Sequence, residues 1–199
     1  YREVGQEYLQ NVLNTDKKLD AYDSGRIYYY LGDYQKAYLA LEEAKGKGGV
    51  DSYLYLGKAY AATGDYNYAS SVYSNYLSKQ GPDAEIYNQL GLCELEKKDY
   101  QKALEAFQAG KQIEGNSLMQ TLSFNEIVAY EYLQDYQKAA VLLKAYLQNY
   151  PDDQTDAVVC PVLQDREQLQ CLELQVGTGF PFTLTDQTAI REQQFLSTR

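Results

Sequence analysis

The amino-acid sequence predicts an all-α fold, a right-handed solenoid of about four helical hairpins stacked in chain order. The motif Asp-Tyr-x-x-Ala occurs four times, and its aspartates are 32, 34 and 36 residues apart. Around each copy, apolar residues recur at the three- and four-residue spacing of a helix. Glycine and proline interrupt this pattern between copies. A period in this range is typical of repeats that bury their apolar faces only against their neighbours.

The first 17 residues are predicted to form an N-terminal helix or a partial repeat, because Val4, Tyr8 and Val12 recur at helical spacing. Four repeats are expected at 18–49, 50–83, 84–119 and 120–151. In each repeat, a first helix ends at a turn before the motif aspartate, and a second helix begins with the motif tyrosine. We expect the aspartate to cap the amides of the second helix.

Small residues in each hairpin predict where its two helices cross. Gly57 and Gly91 lie in the middle of first helices, where the absence of a side chain lets the second helix come close. The motif alanine does the same from the opposite side. The thiol of Cys93 falls within a first helix, and a buried structural role is expected for it.

These residues resemble the tetratricopeptide repeat (TPR) family. Tyr53-x-x-Leu56-Gly57-x-x-Tyr60 followed by Gly64-Asp65-Tyr66, Ala69 and Tyr73 has the family pattern. The third repeat matches it again, from Tyr87-x-x-Leu90-Gly91 to Phe107. Two repeats depart from it: the first has Ala21 and Ser24 where bulkier residues are usual, and the fourth has Ile127 where a small one is usual. The fourth hairpin is therefore expected to pack at a different distance or register.

The resemblance implies a concave groove, lined by the first helices, that holds a peptide or protein segment. The groove residues that it implies are Tyr22, Arg26, Tyr29, Tyr30, Leu54, Lys58, Asn88, Leu92, Phe124 and Tyr132. The same mapping adds Leu19, Ala61, Ala62, Glu85, Leu95, Val128 and Glu131. Arg26 and Lys58 are the two basic groups of this set. The Lys/Asn/Arg set with which chaperone-binding members hold a C-terminal carboxylate is not reproduced.

The segment after Pro151 has a different composition, with no Tyr and no Lys. We predict an irregular insert at 152–185, with a possible hairpin around Gly177-Thr178-Gly179, and a C-terminal capping helix at 186–199. Asp-Gln-Thr occurs at both 153–155 and 186–188, which fits an insertion between the fourth repeat and its cap. A coincidental match of the two tripeptides is the alternative.

Several classes of chemistry are disfavoured by composition. The chain has no histidine, so Ser-His and Cys-His nucleophile pairs are impossible and a zinc site is poorly provided for. No phosphate-binding loop occurs, and no cofactor or metal is predicted. The net charge of −10 argues against nucleic-acid binding. No apolar run is long enough to span a membrane. Cys160 and Cys171 are equally compatible with a disulfide and with free thiols.

The prediction is therefore a non-catalytic scaffold for protein–protein interaction. Two alternatives stay open: carbohydrate or small-ligand binding by the tyrosine-rich groove, and self-assembly as a homo-oligomer. The chain begins with Tyr1 instead of Met, which is expected of a processed or shortened form. The resemblance is to bacterial repeat proteins, many of them exported or lipid-anchored, and both a cytoplasmic and an extracytoplasmic location fit it.

Overall fold

A computed structural model describes residues 2–15, 19–45 and 49–151. These residues form nine α-helices and no strand, as the sequence predicted. The helices are α1 (Arg2–Leu13), α2 (Ala21–Leu31), α3 (Tyr34–Ala44), α4 (Gly49–Ala62), α5 (Tyr66–Gln80), α6 (Ala84–Glu96), α7 (Tyr100–Lys111), α8 (Met119–Tyr132) and α9 (Tyr136–Asn149). The predicted insert and capping helix, together with Cys160 and Cys171, lie outside the described residues.

Short turns join α2 to α3, α4 to α5, α6 to α7 and α8 to α9, which makes four helical hairpins. Each turn places one residue in the left-handed backbone region. Glycine takes this place in the first two turns, at Gly32 and Gly64, where a side chain would be strained. Lys98 and Gln134 take it in the last two, with φ of 63° and 61°.

The motif aspartates cap the second helices, as predicted, in three of the four hairpins. Carboxylates of Asp33, Asp99 and Asp135 accept hydrogen bonds from the backbone amides three residues later. Such a bond satisfies one of the amides that a helix leaves without an internal partner. Asp65 is the exception, because its side chain makes no capping bond.

Glycines at the helix crossings confirm the predicted close approach of the hairpin helices. A Cβ atom added to Gly25, Gly57 or Gly91 would lie only 2.5, 2.3 and 2.3 Å from its nearest neighbour in the second helix. The side chains that occupy this space are Leu41, Tyr73 and Phe107, all with 0% exposure. Each crossing is therefore filled by one large side chain that needs a glycine opposite.

The fourth hairpin packs differently, as the sequence predicted. Ile127 takes the place of the glycine and is itself buried. Leu143, which corresponds to Phe107, is only partly buried, and Tyr146 supplies the buried ring of α9. The large side chain at this crossing therefore belongs to the first helix.

A residue eight positions later covers the tyrosine near the end of three first helices. The ammonium groups of Lys36 and Lys138 lie over the rings of Tyr28 and Tyr130, at 5.5 and 4.8 Å from the ring centroids. In the second hairpin the covering residue is Tyr68, which stacks on Tyr60 at 5.5 Å. Tyr38 stacks on the same ring at 4.9 Å, so three tyrosines form one column between α3, α4 and α5. Such stacks add stabilisation beyond the area they bury.

Candidate functional site

The first helices of successive hairpins contact one another and form one row, which we call the first-helix face. α2 contacts α4, and α4 contacts α6. A hydrogen bond of 2.8 Å from the Asn125 side chain to the Asn88 side-chain oxygen joins α8 to α6. The predicted groove residues belong to these four helices, and their side-chain environments differ from one hairpin to the next.

Arg26 lies between two tyrosine rings. Its guanidinium carbon is 5.3 Å from the ring centroid of Tyr22 and 5.1 Å from that of Tyr55. A cation at this distance is attracted to the electron-rich face of the ring. The Nε atom of Arg26 is buried without a hydrogen-bond partner. Within the described part of the chain, no carboxylate lies within ion-pair distance of Arg26.

Tyr29 and Tyr30 extend this arrangement into a tyrosine cluster centred on Tyr55. The Tyr29 ring meets the Tyr55 ring at 5.6 Å and the Tyr30 ring at 5.7 Å, both edge to face. The hydroxyls of Tyr30 and Tyr55 form a hydrogen bond of 2.6 Å. Burial, followed by the interaction with Tyr30, raises the pKa of Tyr55 to about 12. The phenol of Tyr55 is therefore uncharged at neutral pH.

Tyr22 closes the outer side of the cluster. Its hydroxyl donates to a carboxylate oxygen of Asp51, 3.2 Å away on α4. Burial raises the pKa of Tyr22, and Asp51 also acts in that direction. The bond connects α2 to α4 and holds the Tyr22 ring against the guanidinium.

Lys58 is placed differently from Arg26, although both are basic groups of the predicted groove. Its ammonium is 3.2 Å from the Glu85 carboxylate on α6. Gln89 donates a hydrogen bond of 3.0 Å to the same Glu85 oxygen. The charge of Lys58 is thus balanced within the protein, and the pair links the second hairpin to the third.

The other predicted groove residues range from buried to exposed. Asn88 is buried and accepts the bond from Asn125, while Leu54 is partly buried in the core beneath α4. Leu92 is exposed. In the fourth hairpin, Phe124 packs against the Tyr146 ring, and Tyr132 is 52% exposed, stacked on Tyr100 of α7. Arg26 and the half-buried rings of Tyr22 and Tyr55 that flank it belong to the first two hairpins.

Two of the three buried carboxylates of the described residues, those of Glu94 and Glu126, form ion pairs with lysines. Glu94 pairs with Lys97 at 2.9 Å, and Glu126 pairs with Lys111 at 2.6 Å while accepting from Gln108. Each is held by its own lysine across or along the helices, which is the arrangement of a structural ion pair. Among residues 2–15, 19–45 and 49–151, no group of acidic or cysteine side chains is placed to hold a metal ion.

Sequence reasoning missed the centre of the tyrosine cluster, Tyr55. The repeat pattern assigns the groove to other positions of the first helix, and Tyr55 directly follows one of them, Leu54. Its ring reaches across to α2 instead. Asp51, which accepts a hydrogen bond from Tyr22, was missed for the same reason. So was Asn125, which donates a hydrogen bond to Asn88. The sequence did contain a signal, because Tyr55 is an aromatic residue next to a groove position, one repeat after Arg26.

Comparisons with known proteins give two family matches. A model described as a tetratricopeptide repeat matches residues 124–153, which include α9 and most of α8. A model described as a protein of unknown function (DUF1347) matches residues 51–137. The comparison with curated proteins found no match.

Solved structures of MamA proteins have a similar fold. MamA 41-end from Desulfovibrio magneticus RS-1 is 20% identical, with a TM-score of 0.61, over 76% of this chain and 88% of that chain. MamA of AMB-1 is 20% identical, with a TM-score of 0.58, over 88% of this chain and 84% of that chain. Likeness at this identity is a likeness of fold. In the described residues, no helix has the length and apolarity needed to cross a membrane. The repeat match at residues 124–153, the order of the helices and the shared fold show that the chain has a helical solenoid fold of the tetratricopeptide-repeat type.

Proposed function

We propose that this chain is a non-catalytic scaffold that binds an extended, acidic peptide or protein segment along its first-helix face. Folds of this type generally serve protein–protein interaction and are typically non-catalytic. The single observation that carries the proposal is Arg26. It is a permanent cation flanked by two tyrosine rings, with no carboxylate of the described chain paired to it.

The contrast with Lys58 explains why Arg26 is the anchor. A partner carboxylate that approached Lys58 would compete with Glu85, which is already 3.2 Å away. At Arg26 it would form a new charge-assisted bond, in the fork geometry that guanidinium offers to carboxylates. The surrounding tyrosines would add apolar contact at a low cost in side-chain entropy. Acidic recognition therefore centres on the first two hairpins.

The tyrosine cluster is less suited to carbohydrate, the alternative ligand. Its rings meet edge to face, and the guanidinium already occupies one face of Tyr22 and of Tyr55. Flat, open ring faces are therefore scarce at this site. Self-association, the other alternative, stays a prediction that light scattering over a wide range of concentration would test.

Selection from a displayed library of random peptides, followed by affinity measurement, tests the proposal. We expect the selected peptides to be rich in Asp and Glu. Replacing Arg26 with Ala should weaken their binding by about 10- to 100-fold, the range for a lost hydrogen bond to a charged group. Lys102→Ala is the matched control, because it removes one positive charge from an exposed lysine of α7 that pairs with Asp99. Selected peptides without acidic residues, or equal losses in the two variants, would contradict the proposal.

A further inference from the structure

A cleft opens beside the tyrosine cluster, between the turns of the first two hairpins. It has a volume of about 440 Å³ and is lined by Leu31, Gly32, Asp33, Tyr34, Gln35 and Thr63. Tyr34 joins it to the cluster, because its ring contacts Tyr29 at 5.6 Å. The cleft lies at the ends of α2 and α4, so it is separate from the Arg26 position described above.

One junction between repeats shows what such a space can accommodate. A tyrosine follows the motif aspartate in every hairpin, and at this junction the next hairpin places a residue beside it from three positions before its own motif aspartate. Between the third and fourth hairpins that residue is Tyr132, whose ring stacks on Tyr100 at 4.9 Å and 12°. The same sequence position holds Ala62 between the first and second hairpins and Glu96 between the second and third, and neither residue has a ring.

The cleft thus lies at a junction that lacks the second ring of the stack formed by Tyr100 and Tyr132. Its lining also includes polar groups. Asp33 and Gln35 are hydrogen-bonding side chains, and the Thr63 hydroxyl donates 2.8 Å to the Tyr60 carbonyl, which leaves its oxygen able to accept. A planar ring with a hydroxyl at its tip matches this combination of a tyrosine wall and acceptor groups.

We propose that this cleft binds one aromatic side chain, preferably tyrosine, of the polypeptide held at the first-helix face. This inference rests on the proposed function for the identity of the ligand as a polypeptide. The ring of the partner takes the place beside Tyr34 that Tyr132 takes beside Tyr100. Because Tyr34, Tyr29, Tyr55 and Arg26 are in consecutive contact, one segment would present an acidic group to Arg26 and an aromatic group to the cleft.

Amide NMR with two small uncharged probes tests the cleft directly. N-acetyl-L-tyrosinamide should cause saturable shifts at Gly32, Gln35 and Thr63, and N-acetyl-L-leucinamide, which lacks the ring, should bind about tenfold more weakly or not at all. Replacing Ala62, which precedes the lining residue Thr63, with Tyr supplies the missing ring, so the response to tyrosinamide should fall by about tenfold or more while the fold is kept. No saturable shift, equal responses to both probes, or an unchanged response of A62Y would overturn the proposal.

The reverse substitution keeps the test decisive if A62Y does not fold. Tyr132→Ala opens the equivalent space, and we expect new tyrosinamide shifts around Tyr100; an absence of such shifts would count against the proposal. Arg26→Ala separates the two proposals, because it should weaken peptide binding and leave the response to tyrosinamide intact. Peptide binding without a probe response rejects the cleft alone, and a probe response without any peptide binding rejects the proposed function alone.

Discussion

Replacing Gly91 with Val is the sharpest test of how the hairpins pack. A Cβ atom at this position would lie 2.3 Å from Cε1 of Phe107 and 2.7 Å from Cδ1 and Cζ, too close for any real pair of carbon atoms. Phe107 has no exposed surface, so its ring cannot move aside without displacing other buried atoms or entering a buried void. Overpacking of this kind costs about 1–3 kcal/mol. Valine recovers only a few tenths of a kcal/mol of the roughly 1 kcal/mol helix penalty of glycine.

The expected net loss of about 1–3 kcal/mol in unfolding free energy corresponds to a fall in melting temperature of about 2–12 °C for a chain of this size. Circular dichroism during thermal and urea unfolding measures both quantities. Gly5→Val is the matched control, since nothing lies within 4 Å of the Cβ position at Gly5 on α1. Its unfolding free energy should change by no more than about 0.5 kcal/mol.

A double-mutant cycle shows whether the clash with Phe107 is the cause. Phe107→Ala alone should cost about 3–5 kcal/mol by leaving a cavity. In the double variant the valine methyl groups enter that cavity. The loss of unfolding free energy in the double variant should therefore be about 0.5–3 kcal/mol smaller than the sum of the two single losses. A melting temperature of Gly91→Val equal to that of the unmodified chain, or strictly additive losses, would refute the reasoning.

Two further predictions concern the helix caps and the tyrosines. Asp99→Ala removes a capping bond and should lower the unfolding free energy, measured by urea titration, by about 1 kcal/mol. Asp65→Ala removes no capping bond and should leave the unfolding free energy nearly unchanged. Equal losses in the two variants would contradict the assignment of caps. Burial, with Glu42 as hydrogen-bond acceptor, raises the pKa of Tyr60 to about 12, and that of Tyr55 is raised to a similar value. The neutral rings stabilise the fold fully below the unfolded pKa of about 10, and this contribution is lost as the pH rises toward about 12. Phenolate absorbance of the folded and the urea-unfolded chain, followed against pH, measures the pKa of the tyrosines in each state. Two coincident titration curves would rule out the raised pKa values.

The helix order and the hairpin crossings were readable from the sequence, because they depend on contacts at short and regular spacing. Gly57 and Tyr73 are 16 residues apart in one hairpin, and the same spacing recurs for Gly91 and Phe107. A periodic pattern exposes such contacts directly. The departure at Ile127 was readable for the same reason, since it breaks the pattern at a known position.

The details of the candidate site were not readable, because they depend on how one hairpin sits on the next. The ring of Tyr55 contacts Tyr29 on α2, and the side chain of Asn88 bonds to Asn125, which lies 37 positions away. Spacings of the motif vary from one repeat to the next, so the pattern does not say which side chains meet across a junction. The failure of Asp65 to cap its helix was also hidden, since its motif looks like the other three.

The polar contacts between successive first helices differ in chemistry at every junction. A phenol meets a carboxylate from α2 to α4, an ammonium meets a carboxylate from α4 to α6, and two amides meet from α6 to α8. Units that look interchangeable in sequence are therefore not interchangeable as neighbours. A shuffled or duplicated array would set mismatched groups opposite one another, so each unit has one proper place, and engineered extensions of this protein must copy junctions rather than single repeats.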